Sequence, residues 1–207
     1  MGLRIYDYRT DVRNVLVTPQ IRARFLKMQP GQVARWHSHD LGHEVFLVLE
    51  GRARFEIDGE AAELGPGQMC VALADQIHQV SVVGEEPMAM YLSVTPHVQP
   101  THTGRTAEGE RLPLHFLPNS AYDVPPDDTP MDVLLDRHVA AAHALAAAAQ
   151  RCAQVQREMT DKLKCAAIDN EAAAAARKTM WEAIYEVYRA LPVLGEAWNA
   201  LAPRLAK

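Results

Sequence analysis

The stretch Gly31–Gly51, GQVARWHSHDLGHEVFLVLEG, decides the fold. It places His37 and His39 one residue apart, and a short polar turn separates them from Glu44, which opens the apolar run Val45–Leu49. Side chains along a strand alternate between its two faces, so both histidines face the same side. Two antiparallel strands can therefore aim two imidazoles and a carboxylate at one point, which predicts a metal site.

A later strand supplies a fourth candidate ligand. His78 comes after a Gly-Pro-Gly turn at residues 65–67 and begins an apolar strand. A lone histidine is typical of an ordinary polar strand position, but three ligand-type residues at close spacing plus a fourth on another strand favour metal binding. His43 is adjacent to Glu44 and so faces the other way on an extended chain, which predicts a residue at the rim or one that supports the ligands, with direct ligation as the less favoured alternative.

The spacing resembles the first motif of the cupin superfamily, G-x5-H-x-H-x3,4-E-x6-G. Every fixed position of that motif is matched, by Gly31, His37, His39, Glu44 and Gly51. The resemblance covers residues 1–104, about half of the chain. It implies a double-stranded β-helix barrel that binds one divalent metal ion inside.

The second cupin motif, G-x5-P-x-G-x2-H-x3-N, is matched less well. Gly67 and His78 fit it, whereas other residues replace its proline, glycine and asparagine, namely Leu73, Asp75 and Val82. These departures change the turn before His78 and leave the ligand itself in place. The ligand set that the resemblance implies is His37, His39, Glu44 and His78.

The rest of the chain divides by composition. Residues 1–104 contain short strands separated by turns, which predicts a β-barrel. Residues 105–128 are rich in proline and predict a linker or an arm laid over a surface. Residues 129–207 are rich in alanine and predict a helical hairpin. The expected fold class is therefore α+β, a cupin-like β-barrel followed by an α-helical region.

The helical region has clear start and stop signals. A first helix is expected from Thr129, an N-cap followed by proline, to about Ile168. Residues 169–171 break the pattern, and a second helix is expected to end at Pro192. A short third helix is expected over residues 194–201.

Composition narrows the classes of function. The net charge is −5 and the Lys and Arg residues form no run, which argues against nucleic acid as a partner. No apolar run approaches the roughly 20 residues that span a bilayer, so no membrane role is expected. Cysteines without CxxC spacing indicate reduced thiols and a cytoplasmic protein; they are Cys70, Cys152 and Cys165.

Several residues are candidates for contact with a substrate. Arg35 shares the predicted face of His37 and His39, so it is expected to point inward as a clamp for a substrate carboxylate; the alternatives are a salt bridge to an acid of the barrel wall or a strand end that reaches water. The other candidates are Phe55, Met90 and Tyr91. Met90 and Tyr91 are neighbours on one strand, so only one of them can face inward.

Two further histidines, His97 and His102, follow the last predicted strand. They are candidates to fold back over the mouth of the barrel. No residue of the helical region has catalytic spacing.

Three imidazoles and one carboxylate suit a divalent ion of iron, manganese, nickel, cobalt or zinc. The resemblance implies an enzyme that acts on a small organic, anionic molecule by dioxygenase or by isomerase or lyase chemistry, and the sequence designates no catalytic residue. The alternative is a metal- or ligand-sensing module without catalysis, whose helical tail mediates oligomerisation or binds a partner. In either case the helical region is expected to mediate a homodimer.

Overall fold

The structure is a computed structural model that describes residues 2–165 and 170–205. The chain forms two compact units. The first extends to Asp127 and includes the segment that begins at Ala202, and the second covers Asp128–Leu201. The division predicted from composition, at residues 104 and 128, stays a prediction.

The first unit is built from ten strands in two sheets. The strands are β1 (Asn14–Val17), β2 (Arg22–Met28), β3 (His37–Ser38), β4 (His43–Glu50), β5 (Ala53–Ile57), β6 (Glu60–Leu64), β7 (Met69–Ala72), β8 (His78–Val82), β9 (Met88–Thr95) and β10 (Thr103–Gly104). One sheet has the order β1-β2-β9-β4-β7 and the other β10-β3-β8-β5-β6. All the strand pairs are antiparallel.

The two sheets share one apolar core. Along β4, every second residue is buried, and these are Glu44, Phe46 and Val48. Phe46 meets Phe55 of the other sheet, with 5.1 Å between ring centroids. The α+β cupin-like architecture is therefore observed as two facing sheets. Among the described residues no strand pair joins one sheet to the other, so closure into a barrel stays a prediction.

The second unit contains helix α1 (Met131–Cys165) and most of helix α2 (Asn170–Leu205). Gln156 Nε2 donates to the Met180 carbonyl oxygen at 3.0 Å, and the rings of His138 and Trp198 lie 5.5 Å apart. Earlier residues of α1 thus meet later residues of α2, which is the pattern of an antiparallel pair. The predicted end of the first helix near Ile168 falls outside the described residues.

The prediction that Pro192 ends the second helix is wrong, because α2 continues through it to Leu205. Proline in a helix interior costs about 3 kcal/mol through its missing donor and its clash with the preceding turn. Residues beyond the proline, including Gly195 and Leu201, are buried. Burial of this kind offsets a poor local propensity, so the separate helix predicted over residues 194–201 is part of α2.

Neither helix is long and apolar enough in its described part to cross a membrane.

The two glycines that begin and end the first motif differ in their surroundings, and this predicts different tolerance to substitution. Gly31 has φ +79° and no atom within 4 Å of an added Cβ, whereas Gly51 has φ +69° and an added Cβ would lie 2.4 Å from the Pro87 carbonyl oxygen. We expect Gly31→Ala to cost about 1 kcal/mol from backbone strain alone. Gly51→Ala is expected to cost roughly 3 kcal/mol or more, since the neighbouring backbone must also move. Urea unfolding of both variants measures the difference, and equal losses would contradict the crowding at Gly51.

Candidate metal centre

The two sheets bring four potential ligands together. His37 begins β3 and His78 begins β8, and these two residues are paired across their strands. His39 follows β3 directly. Glu44 comes from the opposite sheet, at the second position of β4 on its buried face. The cluster therefore lies between the sheets, where side chains from both inner faces meet.

The nitrogen atoms of the three imidazoles converge on one carboxylate oxygen. Glu44 Oε2 lies 2.9 Å from His39 Nε2, 3.0 Å from His78 Nε2 and 3.6 Å from His37 Nε2. All four ligand atoms lie within 4.8 Å of one another. Atoms bound to one ion at about 2.1 Å lie roughly 3 to 4 Å apart, so the three separations match shared coordination.

Each imidazole is oriented by a backbone carbonyl. The Nδ1 atoms donate to carbonyl oxygens: His37 to Arg35 at 2.9 Å, His39 to Thr101 at 2.6 Å and His78 to Gln76 at 2.9 Å. A carbonyl oxygen only accepts hydrogen bonds, so Nδ1 carries the proton in each ring. In the neutral rings, Nε2 then presents a lone pair to the centre of the cluster.

Burial decides the charges at this centre. Burial lowers the pKa of His39 below its ordinary value, against the opposing influence of Glu44. Burial alone would raise the pKa of Glu44, but its contacts with the three imidazoles lower that pKa well below the usual range. The carboxylate is therefore charged, and it lies against three imidazole rings whose Nδ1 protons are already donated to backbone carbonyls. A divalent cation accepts all four groups, so the residues fit the ion that the motif implies.

The sequence analysis missed a buried arginine beside this cluster. Arg22 is 2% exposed, and its Nη2 lies 3.9 Å from Glu44 Oε1. Its own pKa is lowered by burial, while Glu44 and Tyr122 act to raise it. The available signal was the alternation in β2, where Arg22 shares a face with the apolar residues Leu26 and Met28.

Three other histidines take different positions around the cluster. His43 is exposed, and its Nδ1 accepts the amide of Ala74 at 3.0 Å, so it lies outside the cluster. The His102 ring lies 5.0 Å from that of His37 and 4.8 Å from that of His39, directly against two of the four residues.

His97 is buried further away. Its Nδ1 is hydrogen-bonded to Thr101 Oγ1 at 2.6 Å, and its ring lies edge-on to Tyr122 at 4.8 Å. Tyr122 belongs to a short 3₁₀ helix, Asn119–Tyr122, in the proline-rich segment. This segment therefore packs against the sheet unit next to Arg22.

The inward direction predicted for Arg35 is wrong, because its side chain is exposed. The extended pairing of β3 covers only His37 and Ser38, so the two-residue alternation does not reach back to Arg35.

The remaining candidates for substrate contact are Met90 and Tyr91, which are neighbours on β9, and Phe55, which lies on β5. Met90 is 1% exposed and belongs to the core, whereas Tyr91 faces the other way and packs edge-on to Phe25 at 6.0 Å. Phe55 is buried and also lines a cavity of ≈ 390 Å³, together with Ile57 and other residues. Contact between these residues and a substrate stays a prediction.

Residues 24–95 match the family model described as a cupin domain. Among curated proteins, Polyketide synthase CurC from Streptomyces cyaneus is 32% identical over 69 residues, which are 33% of this chain and 45% of that protein. The chain thus spans less than half the length of this curated relative. The family match includes all four residues of the cluster and excludes Arg22 and both helices.

Solved structures also resemble this chain over less than half of its length. A protein with a double-stranded β-helix domain from Klebsiella pneumoniae is 26% identical, and the match covers 46% of this chain and 91% of that one with a TM-score of 0.43. KdgF from Halomonas sp. is 26% identical, and the match covers 41% and 78% of the two chains with a TM-score of 0.39.

Proposed function

Because residues 24–95 form a cupin domain, we propose that this protein is a metal-dependent enzyme that acts on a small anionic or enolisable organic molecule. One divalent ion is held by His37, His39, Glu44 and His78. The observation that carries the proposal is the convergence of three Nε2 atoms on Glu44 Oε2 between the two sheets.

The donor set determines which molecules the site attracts. Three neutral imidazoles and one carboxylate leave a bound divalent ion with a net charge of +1 and one or two open positions. The buried guanidinium of Arg22 adds a second positive charge nearby. Oxygen anions, namely carboxylates and enolates, are therefore the favoured ligands. The ion, when bound, polarises a substrate oxygen as a Lewis acid or, if it is iron, activates dioxygen.

The chain's own residues orient the ligand and exclude water. Phe46 packs against His78 with 5.7 Å between ring centroids, and Phe55 backs Phe46. This aromatic wall shields one side of the cluster, and His102 covers the rings of His37 and His39 on another. A protected, low-dielectric site strengthens the electrostatic hold on an anion.

The name of the relative from Streptomyces cyaneus supports a substrate class. Polyketide chains carry carbonyl groups on alternate carbons and enolise readily between them. A 1,3-dicarbonyl enolate presents two oxygens at a spacing that suits one divalent ion. Dioxygenase chemistry and isomerase or lyase chemistry both begin from such a bound anion.

Metal binding is the first expected outcome. Purified protein is expected to contain about one divalent ion per chain by elemental analysis, since four ligands converge on one centre. The His37→Ala/His39→Ala double variant removes two ligands and is expected to lose the ion. His43→Ala is the matched control, because His43 is a neighbouring but exposed histidine outside the cluster, and it should keep full occupancy. Equal occupancy in the double variant would refute the assignment.

Oxygen consumption separates the two reaction types. The iron-loaded protein is expected to consume dioxygen with at least one compound from a panel of small carboxylic acids and 1,3-diketones, because the open positions admit both oxygen and an enolate. An oxygen electrode measures the uptake, and the double variant is the blank. Product formation by NMR without oxygen uptake would replace the dioxygenase by an isomerase or lyase, and neither signal would favour the sensing module.

We further propose that helix α2 forms a homodimer contact, whichever function the sheet unit has. Trp181, Tyr185 and Tyr188 recur at spacings of four and three along α2 and are 58%, 46% and 70% exposed. The charges on α2 are balanced, so a second copy meets no net repulsion there. The acids are Glu171, Glu182, Glu186 and Glu196, and the bases Arg177, Lys178, Arg189 and Arg204.

The proposed homodimer predicts a lower molecular mass when the stripe of exposed aromatic residues, Trp181, Tyr185 and Tyr188, is made polar. Trp181→Glu/Tyr188→Glu is expected to convert a dimer into a monomer of 23.0 kDa, because charge in an apolar interface is strongly unfavourable. Light scattering after gel filtration measures the mass. Lys178→Glu, an exposed change beside the stripe, should leave the dimer intact. A monomeric parent chain, or a dimeric double variant, would exclude this contact.

A further inference from the structure

Arg22 reaches Glu44 across an intervening strand. β9 lies between β2 and β4, and Val94 is the register partner of both Arg22 and Glu44. The three residues form one row on the inner face, about 10 Å from end to end at two strand spacings. Val94 is small and fully buried, so the long arginine side chain passes over it to approach the carboxylate.

The two oxygens of Glu44 have separate partners. Oε2 faces the imidazoles of His37, His39 and His78. Oε1 faces the guanidinium of Arg22, with 3.9 Å to Nη2. This division favours binding of an ion through Oε2 alone, because rotation of Oε1 toward the ion would leave the buried guanidinium without its counter-charge.

The guanidinium of Arg22 is also contacted by Asn14 and by the proline-rich segment. Arg22 Nη1 donates to Asn14 Oδ1 at 3.4 Å, and both the backbone amide and Nδ2 of Asn14 donate to Asp123 Oδ2 at 2.8 Å. The Tyr122 ring lies 5.8 Å from the guanidinium carbon. Arg22 Nε is buried without a hydrogen-bond partner, so charge and packing fix this side chain more than hydrogen bonds do.

We propose that Arg22 is a positioning residue that keeps Glu44 monodentate, and that the segment Asn119–Asp123 locks Arg22 in place through Asn14 and Tyr122. The inference rests on the proposed metal site. It extends that site to residues outside the 24–95 match, since neither Arg22 nor the segment lies within it. A monodentate carboxylate leaves one more position open on the ion for a substrate oxygen.

Cobalt(II) is the probe that tests this assignment, because its visible absorption weakens as its coordination number rises. Arg22→Met removes the charge and keeps a long unbranched side chain. It is expected to bind cobalt(II) about tenfold more tightly in competition with a chelator, because a nearby positive charge is gone. Its cobalt absorption is expected to weaken as Oε1 turns to the ion.

Two variants distinguish positioning from a general structural role. Arg22→Lys keeps the charge and should restore an affinity within about threefold of the parent chain. Arg24→Met removes the neighbouring arginine on the same face of β2, which has no ion pair with Glu44 among the described residues. It should leave the cobalt spectrum unchanged. Asn14→Leu should shift the spectrum in the same direction as Arg22→Met, by a smaller amount.

The outcomes separate the two proposals. If the parent chain binds no cobalt, the metal site itself fails and the inference falls with it. If the parent chain binds cobalt and Arg22→Met has the same affinity and spectrum, the metal site stands and the positioning role is overturned. Equal spectral changes in Arg22→Met and Arg24→Met would also overturn it. If Arg22→Met does not fold, an Asn14→Leu spectrum equal to that of the parent chain would do so.

Discussion

A buried, charged carboxylate surrounded by three imidazoles is the constraint on which the sheet unit depends. Glu44 is 3% exposed, and the rings of His39 and His78 approach its Oε2 to 3.0 Å or less. Burial of a charged carboxylate away from water is costly unless groups of opposite charge or hydrogen-bond donors offset it. With a divalent ion the cluster becomes a chelate in which every group has a partner. The proposed binding of a divalent ion would therefore stabilise the folded form of this region.

The surrounding backbone fixes the orientation of the three imidazole rings around Glu44. Carbonyl oxygens of Arg35, Gln76 and Thr101 each fix one Nδ1 proton, so the rings cannot turn a donor toward Glu44 while they remain neutral. Two of these carbonyls lie two residues before the histidine that they orient. The third comes from the loop before β10, so closing that loop over the site and orienting His39 are one structural event.

Arg22 adds a second buried charge next to Glu44. A guanidinium buried behind Glu44 needs a negative partner, and the carboxylate can serve it with one oxygen while the other faces the imidazoles. The proline-rich segment completes this outer layer through Tyr122 and Asp123. The candidate metal centre therefore extends beyond its four potential ligands to Arg22, before the first motif, and to Tyr122 and Asp123, far after it.

The sequence by itself determined the four-residue cluster, the helical region and the apolar alternation of β4, because motif spacing and strand periodicity act over a few residues. Only tertiary structure decided the direction of Arg35, since the pairing that would impose alternation is just two residues long in β3. It also decided that α2 continues through Pro192, where burial outweighs local propensity. The position of Arg22 beside Glu44 depends on strand order, because two residues far apart in sequence become neighbours only when β9 lies between their strands.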